Sequence, residues 1–114
     1  MKISEIQFKV SLDEQNVPER IQWDATEKPK DALEDCKGVS LSLWDKSAKG
    51  TMRIDLWTKE MPVNEMKRFC IETIAGWADT VLNATGDEFM AGEIDDLCQR
   101  LVQHLKDEER VAKN

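Results

Sequence analysis

The residues able to do chemistry in this 114-residue chain are few and scattered. His104 is its single histidine, Cys36, Cys70 and Cys98 are its cysteines, and Glu93, Asp95 and Asp96 form its densest carboxylate group. A zinc site needs closely spaced Cys and His ligands. A nucleophile needs a base beside a serine or cysteine, and acid–base work needs carboxylates held in a pocket. None of these spacings occurs. His104 flanks Leu101 and Leu105 in a helical pattern and reads as a boundary residue. Cys70 and Cys98 fall inside apolar stripes and read as packing, and the three carboxylates fall on the wet face of the same helical pattern. The run "DKSAKG", Asp45 to Gly50, opens like a calcium loop, with Asp first and Gly sixth. Lys49 and Leu56 stand where a ligand and the bidentate glutamate belong, so it reads as a hairpin turn. With no glycine-rich phosphate loop either, the expectation is no catalytic residue, no cofactor and no metal.

The tryptophans say more. Trp23 alternates with Ile21 and Ala25, and Trp77 sits on a helical stripe, so both are expected in the core. Trp44 and Trp57 fall on the opposite face from the aliphatic residues of their strands. Large rigid rings left on a wet face are favoured in contact surfaces. Arg53 and Asp55 share that face and would flank the rings with directional hydrogen bonds. These four residues, Trp44, Arg53, Asp55 and Trp57, are the candidate partner-binding surface, with a homodimer as one possible use.

The elements that must position them follow from periodicity. Ile6, Phe8, Val10 and Leu12 alternate with polar residues, and so do Ile21, Trp23 and Ala25, which predicts an antiparallel hairpin. Val39, Leu41 and Leu43 against Met52, Ile54 and Leu56 predict a second. Pairing Leu43 with Met52, Leu41 with Ile54 and Val39 with Leu56 puts all six on one side, and a one-residue slip would turn them to water. Beyond Pro62, Met66, Cys70, Ile74, Trp77 and Val81 run at helical spacing, with a second stripe of Ile71, Ala75, Ala78 and Leu82. Gly86 closes that helix, and "TGDE" offers either a Thr85/Glu88 capping box or an Asp87 N-cap for the next. Gly76 and Gly92 lie inside the helices, where close backbone approach is one compensation for their cost.

The expected fold is α+β: a four-stranded antiparallel sheet of two hairpins, followed by two C-terminal helices packed on one face. As a single domain over 1–114, it has strands near 3–12, 19–26, 38–44 and 51–58. Its helices lie near 62–85 and 87–108, with 109–114 a frayed tail. The segment 27–38 reads as a connection with one helical turn around Asp31–Cys36.

Net charge is −7, and residues 58–114 hold 7 Lys+Arg against 12 Asp+Glu. That field argues against nucleic acid and anionic lipid as partners. No apolar run is long enough to insert in a membrane, the N-terminus lacks a signal-peptide pattern, and three unpaired cysteines suit a reducing compartment. The expected location is the cytoplasm.

"SLWDK", Ser42 to Lys46, then "RIDLWTKEMPVNEMKRF" and "ATGDEFM" resemble the gliding-motility-associated protein C family of gliding bacteria. "SEIQFKVSLDEQNVPERIQWDAT", Ser4 to Thr26, resembles that family's N-terminus. The resemblance implies a small cytoplasmic accessory protein of the gliding apparatus, linked to type IX secretion, with no enzymatic activity or cofactor to carry over. The leading expectation is an adaptor that binds another protein of that apparatus. The alternative is a small-molecule or lipid carrier with its ligand between sheet and helices, for which five methionines would give an adaptable lining.

Overall fold

The computed structural model describes residues 1–28 and 33–113, and the chain divides into two compact units, Met1–Pro62 and Val63–Asn114. Among the described residues, the regular elements of the first unit are all antiparallel strands. Strands β1 (Ile6–Leu12), β2 (Pro18–Ala25) and β3 (Glu34–Cys36) form one sheet in that order, and β4 (Gly38–Trp44) and β5 (Thr51–Trp57) form a two-stranded ribbon. The fold class is α+β as expected, with the short β3 in addition. The helical turn expected around Asp31–Cys36 falls partly outside the described residues, and the described part, Glu34–Cys36, is strand. Two acidic residues in three give no strand signal, and β3 exists because β2 offers a free edge, with Ile21 opposite Cys36 and Trp23 opposite Glu34.

Register follows the aliphatic residues. Phe8 pairs with Trp23 and Val10 with Ile21, so the central strand brings Ile21 between Val10 and Cys36, where it is fully buried. Trp23 is half-buried, with the Lys28 ammonium 5.3 Å from its ring centre. In the ribbon, Leu43 pairs with Met52, Leu41 with Ile54 and Val39 with Leu56, the predicted register.

Both turns are held by an aspartate accepting from the backbone. Asp13 Oδ1 accepts from Gln15 N at 2.8 Å and Val17 N at 2.9 Å. Asp45 Oδ2 accepts from Ser47 N at 3.0 Å and Ala48 N at 2.6 Å. Asn16 and Lys49 supply the left-handed residues of these turns.

The chain leaving β5 is tied back to the β3–β4 junction and to the first hairpin. Thr58 N donates to Lys37 O at 2.9 Å and Lys59 N to Pro18 O at 3.2 Å. The Lys59 ammonium then pairs with Asp13 and Glu19. That ammonium, first, and the Val17 amide hold the Asp13 carboxyl below its ordinary 3.8. The folded chain therefore binds this proton more weakly than the unfolded chain. Its stabilising contribution is complete above about pH 4 and is lost as pH falls through the lowered value. Asp13→Asn should accordingly be less stable than the parent at neutral pH, with the gap in melting temperature narrowing toward pH ~3. A gap that stays constant with pH would remove the carboxylate from the account.

The second unit is a helical hairpin, α1 (Val63–Thr85) and α2 (Glu88–Lys113). Gly86 turns the chain at φ 73° and its amide reaches Leu82 O at 2.8 Å, a left-handed stop that glycine makes without a Cβ clash. Asp87 is the N-cap: its Oδ1 accepts from Met90 N at 2.9 Å, while Thr85 Oγ1 is turned back to Val81 O at 2.6 Å. The helix continues past position 108 to Lys113, helped by Gln103–Asp107 and Asp107–Arg110 contacts at helical spacing. Ala78, Ala91 and Cys98 are its buried apolar residues among those described.

The expected burial of Trp77 fails here. Trp77 is 53% exposed, because a pair of helices buries only the narrow stripes facing each other. A Cβ at Gly76 or Gly92 would meet no atom within 4 Å, so close backbone approach is not the reason for either glycine.

Candidate partner-binding face

Alternation along β4 and β5 sends Ser40, Ser42 and Trp44, with Arg53, Asp55 and Trp57, to the side opposite the six aliphatic residues. Ser40 lies across from Asp55, Ser42 from Arg53, Trp44 from Thr51, and Trp57 from Gly38. All four candidates therefore share a face, as the register requires.

The structure joins only two of them. Arg53 Nη2 donates to Asp55, 3.0 Å from Oδ2 and 3.1 Å from Oδ1, and Ser40 Oγ donates to Asp55 Oδ1 at 2.8 Å. Exposed pairs of this kind contribute little stability, ~0–1 kcal/mol, but they fix the direction of both side chains. Trp44 and Trp57 lie at opposite ends of the ribbon, with β4 residues 38 to 44 between their levels. At the strand rise that is about 20 Å. They are 70% and 54% exposed. The face is thus a polar centre, Ser40–Asp55–Arg53, between two separate indole anchors. Parity in the sequence gives the side each ring occupies, while the distance between them needs the pairing.

The remaining reactive groups stay apart. Burial, and then the neighbouring Asp35 charge, push the Cys36 thiol up, away from thiolate. His104 Nε2 lies 2.8 Å from Glu108 Oε1, and the Lys67 ammonium donates to both oxygens of Glu108 at 2.8 and 2.9 Å. Lys67 foremost, with His104 adding to it, holds that carboxyl below the ordinary range. The cluster clips the start of α1 to the end of α2. Glu93, Asp95 and Asp96 are exposed on α2. Among the described residues no group of three His, Cys, Asp or Glu is placed to hold a metal ion.

Sequence reasoning misses two features of the first unit. Arg20 and Asp35 make a forked ion pair, Nε to Oδ1 at 2.7 Å and Nη2 to Oδ2 at 3.3 Å. It could not be foreseen without β3. Thr58, just past β5, is buried with no hydrogen-bond partner at Oγ1, although its alternation with Trp57 does mark it for the inner side.

Among the described residues no helix is long and apolar enough to cross a membrane. Residues 18–107 match the family described as gliding motility-associated protein GldC-like. That span takes in β2 to α2 and the whole candidate face. Neither the curated proteins nor the solved structures return a match.

Proposed function

This chain belongs to the GldC-like family of gliding-motility-associated proteins, and on that premise we propose that it is a non-enzymatic accessory protein of the cytoplasm. It supports gliding by binding another protein of the motility apparatus through the outer face of the β4–β5 ribbon. The observation that carries this reading is the pair of exposed indoles, Trp44 and Trp57, flanking a hydrogen-bonded Arg53–Asp55–Ser40 centre. Trp and Arg are the residues most enriched among those that dominate binding energy. A spread of about 20 Å also suits one partner surface, since a standard contact buries roughly 800 Å² per side.

The test is Trp57→Asp combined with Trp44→Ser. Both sites are exposed, so the circular-dichroism spectrum and melting temperature should hold while affinity for the partner falls at least about tenfold. If the doubly substituted chain folds normally and co-purifies with the same proteins in the same amounts, this face is not the contact.

A further inference from the structure

The three-stranded sheet ends on one side in β1, and among the described residues no strand pairs with the outer side of β1. The hydrogen bonds show which backbone groups that side presents. Glu5 O accepts from Thr26 N at 3.0 Å and Glu5 N donates to Thr26 Oγ1 at 2.8 Å, so both Glu5 groups turn toward β2. In an antiparallel ladder this orientation alternates. Gln7, Lys9 and Ser11 follow Glu5, while the amides and carbonyls of Ile6, Phe8 and Val10 point to the open edge.

The side chains along that edge are equally unfinished. Ile6 is 71% exposed and Phe8 42%, on the face that carries Trp23 and Ile21. On the other face Glu5 and Lys9 are exposed, and neither makes an ion pair with a described residue. An edge with no proline and few charges is an open template for a further strand.

We propose that the occupant is a second copy of this chain, pairing antiparallel along β1 about a two-fold axis at Gln7. The sequence of the strand is complementary to its own reverse in that register. Ile6 of each copy lies opposite Phe8 of the other, so the apolar face runs unbroken into a six-stranded sheet. Glu5 of each copy lies opposite Lys9 of the other, giving two ion pairs at the sites where side chains approach most closely. Outward groups meet outward groups, because Ile6 and Phe8 form the hydrogen-bonded pairs. Centring the axis on Lys9 instead would set the two ammonium groups against each other, and like charges directly opposite are destabilising. Charge therefore disfavours the register centred on Lys9 and favours the one centred on Gln7, which alone sets Glu5 directly opposite Lys9. The reciprocal pair points to a second copy, since a strand of unrelated sequence has no reason to carry it.

Sedimentation equilibrium of the full chain should give twice the 13.1 kDa chain mass. Glu5→Lys and Lys9→Glu each turn both pairs into repulsions and should raise the dimer dissociation constant at least about tenfold. The double variant restores opposite charges and should restore the dimer. A monomeric parent at micromolar concentration, single variants that dimerise as the parent does, or a double variant that stays monomeric would each overturn the proposal. Gln7→Cys supplies a reading that does not depend on those charge changes. At the axis its two Cα atoms lie about 4.5 Å apart, within disulfide range, whereas Lys9→Cys places its pair about 14 Å apart by the strand rise. Mild oxidation should cross-link the first and leave the second uncross-linked, and the opposite pattern overturns the register.

Discussion

Ile21→Ala is expected to destabilise the strand unit by about 3 kcal/mol, the usual range for removing a fully buried branched side chain being ~2–5. Ile21 is 0% exposed and lies at the middle of β2, between Val10 on β1 and Cys36 on β3. Its loss leaves a space that only a three-residue edge strand could close on one side, so little relaxation is available to soften the cost. Roughly 12–24 °C of melting temperature should go with it, at about 4–8 °C per kcal/mol for a unit of this size. Tryptophan fluorescence, which includes Trp23 on the neighbouring position of the same face, should follow that loss. The helical signal at 222 nm arises from α1 and α2 and reports the other unit. Ile21→Val, which keeps the β-branch and removes one methyl, should cost only ~0.5–1.5 kcal/mol. A loss under about 1 kcal/mol for alanine would mean that Ile21 is not the centre of this core.

The elements whose residues alternate strictly are legible in the amino-acid sequence by itself. Six aliphatic residues at alternate positions point to one register for β4 and β5, the one that puts all six on a shared face. There Val39, Leu41 and Leu56 are half-buried and Leu43, Met52 and Ile54 stay exposed. The same parity places Trp44, Arg53, Asp55 and Trp57 on the opposite face. Parity alone carries no information about distance along a strand, but the register it selects, with Leu43 opposite Met52 and Val39 opposite Leu56, already sets the two rings at opposite ends. The strand β3 is illegible for a different reason. Glu34 and Asp35 have no strand propensity to speak of, and their pairing is dictated by β2 and by Arg20, whose guanidinium takes the Asp35 carboxylate in a fork.

The helices show the limit of periodicity in another way. Met66, Cys70, Ile74, Trp77 and Val81 do lie on one stripe, and that is all a 3.6-residue repeat can say. A single neighbouring helix covers a strip about one side chain wide. The most buried residues of the hairpin are small, Ala78 at 3% exposed, Ala91 at 6% and Cys98 at 8%, while Ile71, Ile74, Ile94 and Leu101 are half-buried. Bulk in a sequence suggests burial, but between two close helices small size is the sign, and Trp77 is left outside for that reason.

The same contrast yields a prediction that separates size from position. Ala78→Asp should destabilise the helical hairpin by about 3 kcal/mol, since it sets an unpaired carboxylate in a site with almost no access to water and adds a poorer helix former. Trp77→Ala removes the largest side chain of α1 one position earlier, yet from a site already 53% exposed. With half of the ring in water in the folded state, the burial lost is worth on the order of 2 kcal/mol, and alanine's better helix propensity offsets part of it, so the cost should be about 1–2 kcal/mol. Urea unfolding followed at 222 nm gives both numbers, with Ala78→Ser as a control for polarity without charge. Ala78→Asp should be the most damaging of the three, because it alone places a charge where water has almost no access. If Trp77→Ala were the most damaging of the three, the stripe of large residues, not the alanine seam, would be what holds α1 in place.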